Sequence, residues 1–520
     1  MRKPFASSPA LAEWLVLGAL VLFKIALQYL LVDDSYDLHR DEYLHLDQAN
    51  HLAAGYLSVP PFTSWVAFLI KALGNTKFWV QFFPALFGAL TLVTGWWTVH
   101  ELGGGWYAKL LAVFGLLFSS LLRVNMLFQP NSVDVLAWTL VFYLLIKYVH
   151  HQQSRDLLWL GAVVGFGLLN KYNLAFLLLG LLPALALTKH RPMFTKPALY
   201  AAVGLAFLIV LPNVWWQWSN GWPVIHHMQE LDATQLVNVD RFAFWQDQLL
   251  FFFGSLFLIG AAFVGFVLYA PLKHYRFIGL AYLFTMLLFT YLRAKNYYAI
   301  GLYPVLLCAG AVYWEHLFSQ SWKRFTRPLW MAVNLLLFLP VIKVVFPVLS
   351  PQEIHANAAP FKDLNLLKWE DGKDHDLPQD FADMLGWREL TSDVEKAFAL
   401  VPVKERANTL LICDNYGQAG AVNFYKAKHL PAAVSFNADY IFWYPTELRV
   451  QNIVLVKELG EAPLREEEKP MVQSVTVIDS ITTPFARERG ATVYLLKGIS
   501  PILTQQLVAH AQVRKKEWRQ

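Results

Sequence analysis

The sequence predicts an α-helical, polytopic membrane protein with a C-terminal water-soluble α/β domain, and two features of its composition support this fold class. The 520 residues are 56% hydrophobic and only 16% charged, whereas about a quarter of the residues of a soluble protein are charged. Long apolar runs lie almost entirely in residues 1–349, and residues 350–520 are rich in Lys, Glu and Asp. This change predicts a membrane unit over residues 1–349 and a soluble domain over residues 350–520.

The membrane unit is predicted to cross the bilayer about eleven times, because apolar runs of roughly 17–25 residues can span as helices. Because some of the runs are short or closely joined, the predicted number is eleven spans, plus or minus one or two. The predicted spans are 11–32, 78–99, 107–127, 133–149, 157–170, 174–188, 197–214, 247–270, 277–292, 298–316 and 328–347.

Basic residues in alternate connections predict the orientation in a plasma membrane. The basic connections are 150–156, 189–196, 272–276 and 319–327. Together with Arg2 and Lys3, which precede the first span, they are placed in the cytoplasm by the positive-inside rule. An odd number of spans then places the C-terminal domain, the first outer loop (33–77) and the loop 215–246 on the extracytoplasmic side.

Strand-like and helix-like patterns alternate in the soluble domain, which predicts a small α/β sandwich. The predicted strands are Thr409–Cys413, Asn452–Val456, Val475–Ile478 and Thr492–Leu496, and the predicted helices are Ala419–Lys428 and Ile502–Val513. In the first outer loop, Glu42–Ala54 and Phe62–Leu73 have apolar residues at helical spacing, which predicts amphipathic helices lying at the membrane interface.

Charged residues cluster at the start of the first outer loop, in His39-Arg40-Asp41-Glu42-Tyr43. Two adjacent carboxylates near a bilayer surface suit a base that activates a hydroxyl; an ordinary solvated loop is the alternative. Asp134, at the outer start of a predicted span, should face a polar cavity because an Asp facing hydrocarbon costs roughly 2.5–3.5 kcal/mol. A helix-capping carboxylate is the alternative for this residue.

Four cations are predicted on the same side. Lys171 lies at an outer turn between two spans, where a snorkelling lysine is the alternative. Arg293 and Lys295 break the positive-inside pattern, which favours an anion that they bind, and Arg241 is grouped with them. Lys and Arg suit a phosphate or pyrophosphate. Acids and cations at one bilayer surface together suit a substrate that is half lipid and half phosphosugar.

Other kinds of site are excluded by the sequence pattern. No Lys/Arg stripe interleaved with aromatics suggests nucleic acid binding. The pairs His150-His151 and His226-His227 lack a third ligand at metal-binding spacing, so no metal site is predicted.

The first outer loop resembles that of glycosyltransferase family 39, which includes protein O-mannosyltransferases and the aminoarabinose transferase acting on lipid A. The resemblance covers most of the chain. The matching segments are His39–Tyr43, His51–Tyr56, Val59–Pro61, Asp134, Leu169–Tyr172, Lys295–Tyr298 and, in the soluble part, Asn415–Ala421.

The resemblance implies a GT-C fold, a polyprenyl-phosphate sugar donor and no nucleotide sugar. It implies that Asp41 is the catalytic carboxylate, that Glu42 supports it and that Lys171 and Lys295 hold the donor phosphate. Arg241 matches less well. The remaining predicted substrate-binding residues are His39, Arg40, Tyr43, His51, Tyr56, Asp134, Tyr172, Arg293, Asn296 and Tyr298.

The predicted reaction is a direct displacement of lipid phosphate by an acceptor hydroxyl or amine, with Asp41 as the base. No cofactor is assigned: side-chain cations can replace a metal at a monophosphate, and a divalent metal stays open. The acceptor also stays open between glycolipid, polysaccharide and protein. A transporter or flippase is the competing class, but the charges lie at one surface and no repeated halves are visible. A non-catalytic membrane scaffold is a third class.

Overall fold

The computed structural model describes residues 11–519, which form two compact units. The helical unit comprises residues 11–32, 80–211 and 239–348. The sheet unit comprises residues 33–79, 212–238 and 349–519. Arg2 and Lys3, the basic residues before the first predicted span, lie outside the described residues.

The helices of both units are numbered in chain order. They are α1 (Leu11–Leu30), α2 (Arg40–Asp47), α3 (Phe62–Ala72), α4 (Lys77–Glu101), α5 (Trp106–Leu117), α6 (Ser120–Val124), α7 (Asn131–His151), α8 (Ser154–Asn170), α9 (Leu174–Ala186), α10 (Pro197–Ser219), α11 (Pro223–Thr234), α12 (Arg241–Phe251), α13 (Leu256–Leu268), α14 (Arg276–Tyr291), α15 (Tyr303–Leu317), α16 (Arg327–Val345), α17 (Pro351–Ala356), α18 (Ala359–Asp363), α19 (Gln379–Ala382), α20 (Trp387–Ala399), α21 (Tyr416–Tyr425), α22 (Tyr440–Trp443) and α23 (Pro501–Glu517).

Each predicted span contains a helix. The protein is therefore a membrane protein, as its composition predicts. Within residues 11–519, six helices are long and apolar enough to cross a membrane, namely α1, α4, α7, α10, and α15 and α16 with the 3₁₀ turns that precede them. The bent pair α12–α13 would be a seventh. Helices α5 and α9 have 12 and 13 residues. At 1.5 Å per residue they are about 18–20 Å long, shorter than the bilayer core. The count of about eleven spans stays a prediction.

Two predicted spans are interrupted in the structure. Helix α5 ends at Leu117, and the hydroxyl of Ser119 accepts a hydrogen bond from the backbone N–H of Leu121, which begins α6 as a separate turn. The predicted span 247–270 is bent by 66° between α12 and α13. The bend lies beside Gly254, where an added Cβ would approach the carbonyl oxygen of Asn334 to 2.9 Å.

A five-stranded mixed sheet forms the centre of the sheet unit. Its strands are β1 (Thr409–Cys413), β2 (Ala433–Ser435), β3 (Asn452–Lys457), β4 (Val472–Ser480) and β5 (Thr492–Ile499), in the spatial order β2-β1-β3-β5-β4. Strands β1, β2 and β3 are parallel, and β5 is antiparallel to β3 and β4. All four predicted strands are present, so the α/β fold of the C-terminal region is confirmed.

The first outer loop differs from the predicted pair of interfacial helices. Helix α2 exposes no apolar face, because its residues 42–47 are all buried against the rest of the sheet unit. Its main neighbour is α21. Helix α3 has the opposite character: Thr63 and Ser64 are buried, while Trp65 and Phe68 are exposed, as expected of an apolar face turned to lipid.

The close approach of α2 and α21 depends on glycine. An added Cβ at Gly420 would lie 2.8 Å from Cβ and 2.9 Å from the carbonyl carbon of Tyr43. Neither atom belongs to the end of a flexible side chain, so the two helix backbones would have to separate.

We expect Gly420→Ala to destabilise the protein by about 1–3 kcal/mol, the usual cost of overpacking a core. The measurement is the thermal melting temperature of the purified protein in detergent. Gly204→Ala is the matched control, because Gly204 is also helical and an added Cβ there meets nothing within 4 Å. A Gly420→Ala protein that melts at or above the temperature of the control would contradict this account of the helix contact.

Candidate active site

The start of helix α2 holds the predicted catalytic carboxylates in different environments. The backbone N–H of His39 donates to Oε2 of Glu42 at 2.6 Å, which forms a capping box with the His39 side chain. Glu42 is only 1% exposed. Its carboxylate therefore fixes the first turn of the helix, and this turn carries the neighbouring Asp41.

Asp41 is partly exposed, with 39% of its side chain accessible. Its Oδ1 accepts a hydrogen bond of 2.7 Å from the hydroxyl of Tyr416, and its Oδ2 lies 3.9 Å from Nδ1 of His39. Burial opposes ionisation, but the charge of His39 and the Tyr416 hydrogen bond together lower the pKa of Asp41 below its ordinary value. The carboxylate is thus ionised at neutral pH.

Tyr416 is positioned by the segment Asn415–Ala421. The Asn415 side chain caps α21 by accepting from the backbone N–H of Gln418 at 3.0 Å. The guanidinium of Arg40 lies over the Tyr416 ring, 4.5 Å from its centroid. Gly417 leaves room for Arg40, since an added Cβ would come within 2.6 Å of Cγ of that side chain.

Two further acids lie deeper in this cluster. Asp383 is 3% exposed, with Oδ2 3.7 Å from Nε2 of His39 and both oxygens 3.2 Å from Nη1 of Arg487. Glu488 accepts hydrogen bonds from the side chains of Gln418 (2.7 Å) and Asn415 (3.1 Å). Burial raises the pKa of both Asp383 and Glu488, in contrast to Asp41. Among Asp41, Asp383 and Glu488, Asp41 is therefore the acid that combines exposure with ready ionisation.

Three other residues predicted in the first outer loop make packing contacts. Tyr43 is fully buried and its hydroxyl donates to that of Tyr425 at 3.1 Å. The Tyr56 hydroxyl lies 3.2 Å from the carbonyl oxygens of Gln48 and His51, which fixes the turn between them. The exposed ring of His51 stacks on a tryptophan at 4.3 Å. Their substrate-binding roles stay predictions.

In the helical unit, Asp134 is a buried carboxylate with both oxygens occupied. Oδ1 accepts from Nε1 of Trp138 at 2.9 Å, and Oδ2 accepts from Nδ2 of Asn173 at 2.8 Å. The same Asn173 nitrogen donates to the carbonyl oxygen of Tyr298 at 3.0 Å. Asp134 thus connects α7 to the start of α9 and to the turn that precedes α15.

Lys171 lies in the link between α8 and α9. Its ammonium donates to Oδ1 of Asn131 at 2.8 Å and lies 5.0 Å and 4.5 Å from the ring centroids of Tyr297 and Tyr298. Burial and the nearby charge of Lys295 lower the pKa of Lys171 to about 8, although Asp134 opposes this shift. Lys171 is hydrogen-bonded to a neutral amide, so its charge is available to an anion.

The second pair of predicted cations lies just after α14. Arg293 has a left-handed backbone (φ 51°) and is half-buried, as is Lys295. Asn296 anchors the turn by donating to Oδ2 of Asp247 at 2.8 Å, while its carbonyl oxygen accepts from Gln248 at 2.9 Å. This turn therefore lies beside Lys171, whose ammonium contacts the rings of Tyr297 and Tyr298.

Arg241 and Tyr172 complete the predicted set. Arg241 is exposed, and its Nε donates to the carbonyl oxygen of Thr290 at 3.0 Å, near the end of α14. This contact satisfies a free carbonyl at a helix C-terminus. Tyr172 is half-buried in the link beside Lys171.

Four residues of the site were not predicted from the sequence, because no local pattern marks them. They are Trp138, Asn173, Asp383 and Glu488. Tyr416 lies in the matching segment Asn415–Ala421, but the sequence analysis assigned it no role.

Comparison with known proteins shows which proteins this chain resembles in sequence. Residues 58–216 match the model of the family described as dolichyl-phosphate-mannose-protein mannosyltransferase. The chain is 25% identical over 234 residues to the lipid A galacturonosyltransferase RgtD of Rhizobium johnstonii, covering 43% of this chain and 47% of that protein. It is 28% identical over 201 residues to the lipopolysaccharide core galacturonosyltransferase RgtB of the same organism, covering 36% and 38%. The chain thus matches less than half the length of these relatives.

The fold agrees over a much larger part of the chain. The crystal structure of ArnT from Cupriavidus metallidurans bound to undecaprenyl phosphate has a TM-score of 0.61, with 12% identity, over 94% of this chain and 98% of that chain. The same protein in its apo state gives a TM-score of 0.58 over the same shares. These matches confirm the predicted GT-C fold. The chain is thus a membrane protein with a GT-C fold, and it is similar in sequence to dolichyl-phosphate-mannose-protein mannosyltransferases and to bacterial galacturonosyltransferases.

Proposed function

We propose that this protein is an integral-membrane glycosyltransferase that moves a sugar from a polyprenyl-phosphate donor to an acceptor at the extracytoplasmic face of the inner membrane. The C-terminal domain lies on that same face in this proposal. The relatives RgtD and RgtB are named as transferases acting on lipid A or lipopolysaccharide core, and the ArnT structure contains undecaprenyl phosphate. Undecaprenyl phosphate is therefore the carrier we propose, and a lipid A or core glycolipid is the acceptor.

The observation that carries the proposal is the environment of Lys171. Its ammonium is hydrogen-bonded to the neutral Asn131 and flanked by the rings of Tyr297 and Tyr298. Asp134, whose charge acts on Lys171, already has both oxygens hydrogen-bonded. A largely buried cation without a carboxylate hydrogen bond is costly, and a donor phosphate would supply the missing anion.

Asp41 supplies the base in this proposal. It is ionised, partly exposed and held by the Tyr416 hydroxyl and the first turn of α2. As the acceptor hydroxyl forms its bond to the anomeric carbon, its proton passes to Asp41 and the bond from that carbon to the phosphate oxygen breaks. The electron pair leaves with the phosphate, whose charge Lys171 and Lys295 stabilise. A single displacement of this kind inverts the anomeric configuration.

We expect Asp41→Asn to lower kcat by about 10²–10⁴-fold, the usual contribution of a general base. The assay measures transfer of labelled sugar from undecaprenyl phosphate by the purified protein, with galacturonosyl, mannosyl and aminoarabinosyl donors compared. The matched control is Asp479→Asn, since Asp479 is an exposed carboxylate paired with Lys396. Full activity of a folded Asp41→Asn protein would refute the assignment.

Tyr416→Phe removes a hydrogen bond that lowers the pKa of Asp41, so this pKa should rise in the variant. A group whose pKa rises becomes protonated at a higher pH as the solution is acidified. We therefore expect the acidic limb of the kcat/KM profile to move to higher pH, with a smaller loss of rate at pH 8 than for Asp41→Asn. An unchanged acidic limb would mean that Asp41 does not titrate in the reaction.

Lys171→Met should weaken binding of undecaprenyl phosphate, whereas Lys171→Arg should keep it. In the native protein the cation is lost as pH rises through its pKa of about 8, so affinity should fall above that pH. Arg stays charged throughout, so Lys171→Arg should lose this pH dependence. Binding is measured by titration of the carrier lipid into nanodisc-embedded protein, with the exposed Lys323→Met as control. Equal affinity of the Lys171→Met and native proteins would contradict the phosphate role.

A further inference from the structure

Three side chains of types that can bind metal ions lie together at the ends of two helices of the helical unit. Glu101 is the last residue of α4, and His150 and His151 are the last two residues of α7. Oε2 of Glu101 lies 3.0 Å from Nδ1 of His150 and 3.0 Å from Nε2 of His151. The two imidazole rings stack with centroids 4.4 Å apart, and the three ligand atoms lie within 4.8 Å of one another.

The surroundings of these three residues favour a cation. Carbonyl groups without helical partners give each helix C-terminus a partial negative charge, and here two such ends meet. The Glu101 carboxylate adds a full negative charge and is only 11% exposed, whereas His150 is 54% exposed and gives access to the solvent. The nearby Lys147 lies 3.6 Å from Asp156, so its charge is balanced by that acid.

We propose that Glu101, His150 and His151 form a binding site for a divalent transition-metal ion, with Zn²⁺ as the best-suited ion. Two imidazole nitrogens and one carboxylate oxygen are ligands that Zn²⁺ accepts, and three protein ligands leave a fourth position for water or another ligand. On binding, each neutral ring carries its proton on the nitrogen that does not face the metal. The ion connects the ends of α4 and α7.

This site is separate from the residues proposed for glycosyl transfer. The connection after His151 is among those predicted to be cytoplasmic, and the contacts of Glu101 with both histidines place the end of α4 beside it. A histidine pair gives no metal prediction by itself. The fold supplies the third ligand from a residue that is 49 positions away in the chain.

The test is a metal titration of the purified, chelator-treated protein in nanodiscs. Co²⁺ is added first because its visible absorption reports a tetrahedral site, and Zn²⁺ is then titrated in competition. We expect one equivalent to bind, and we expect His150→Ala, His151→Ala and Glu101→Gln each to lower the affinity by about tenfold or more, since each removes a metal ligand. Addition of Zn²⁺ should raise the melting temperature of the native protein but not of the three variants.

The double variant His226→Ala/His227→Ala is the matched control, because it removes the other adjacent histidine pair of the chain. It should bind Co²⁺ and Zn²⁺ as the native protein does. The proposal is overturned if the native protein binds no Co²⁺ or Zn²⁺ at micromolar concentrations, if the three ligand variants bind as tightly as the native protein, or if the control loses binding equally. Glycosyl transfer is measured in parallel and decides neither outcome, so failure of this site leaves the proposed function untouched.

Discussion

The high cost of burying a charge without a partner is the constraint on which this structure depends. An uncompensated buried ion costs several kcal/mol even after relaxation, and the helical unit meets this cost by pairing. Lys109 contacts Glu13, which also accepts from Nε1 of Trp96 at 2.8 Å. Asp134 is likewise held by two donors. Lys171 differs from Lys109 because its hydrogen-bond acceptor carries no charge.

In the sheet unit, a close contact between two helices positions the exposed carboxylate of Asp41. Helices α2 and α21 approach closely because Gly420 meets the backbone of Tyr43, and Gly417 leaves space for Arg40. This approach brings the Tyr416 hydroxyl to Asp41, which is distant from it in the chain. Backbone packing therefore places Asp41 beside Tyr416, and the hydrogen bond between them favours the ionised carboxylate. Rigid support of this kind is what a catalytic group requires, since small displacements are costly in rate.

Sequence reasoning succeeded where the physical cause is local. Apolar length predicted the helices, and the runs Thr409–Cys413 and Asn452–Val456 were recognised as strands because parallel strands in a sheet centre are mostly apolar. It missed β2, which has three residues and no periodicity to detect. It also expected α2 to lie at the membrane interface, because helical spacing of apolar residues does not reveal that the polar face will be buried too.

The candidate site was predictable only in part for the same reason. Asp41 and Lys171 could be found because charged residues beside apolar spans are rare and stand in recognisable motifs. Their partners could not, since Asp383, Glu488 and Asn173 are ordinary residues until the chain folds. Tyr416 belongs to both groups: its motif was visible, but its contact with Asp41 joins segments 375 residues apart. Long-range hydrogen bonds leave no local signal.

The lowered pKa of Asp41 also bears on the order of bond changes that the proposed chemistry requires. A weakly basic carboxylate cannot remove the proton of a hydroxyl group, which is far less acidic, before bond formation begins. Glycosyl transfer normally proceeds through a transition state with oxocarbenium character, in which the bond to the leaving group is largely broken. The acceptor oxygen becomes acidic only as it bonds to that carbon, so a weak base is sufficient at this late stage. Ionisation at neutral pH then matters more for Asp41 than high basicity, and its contacts with His39 and Tyr416 favour the ionised form.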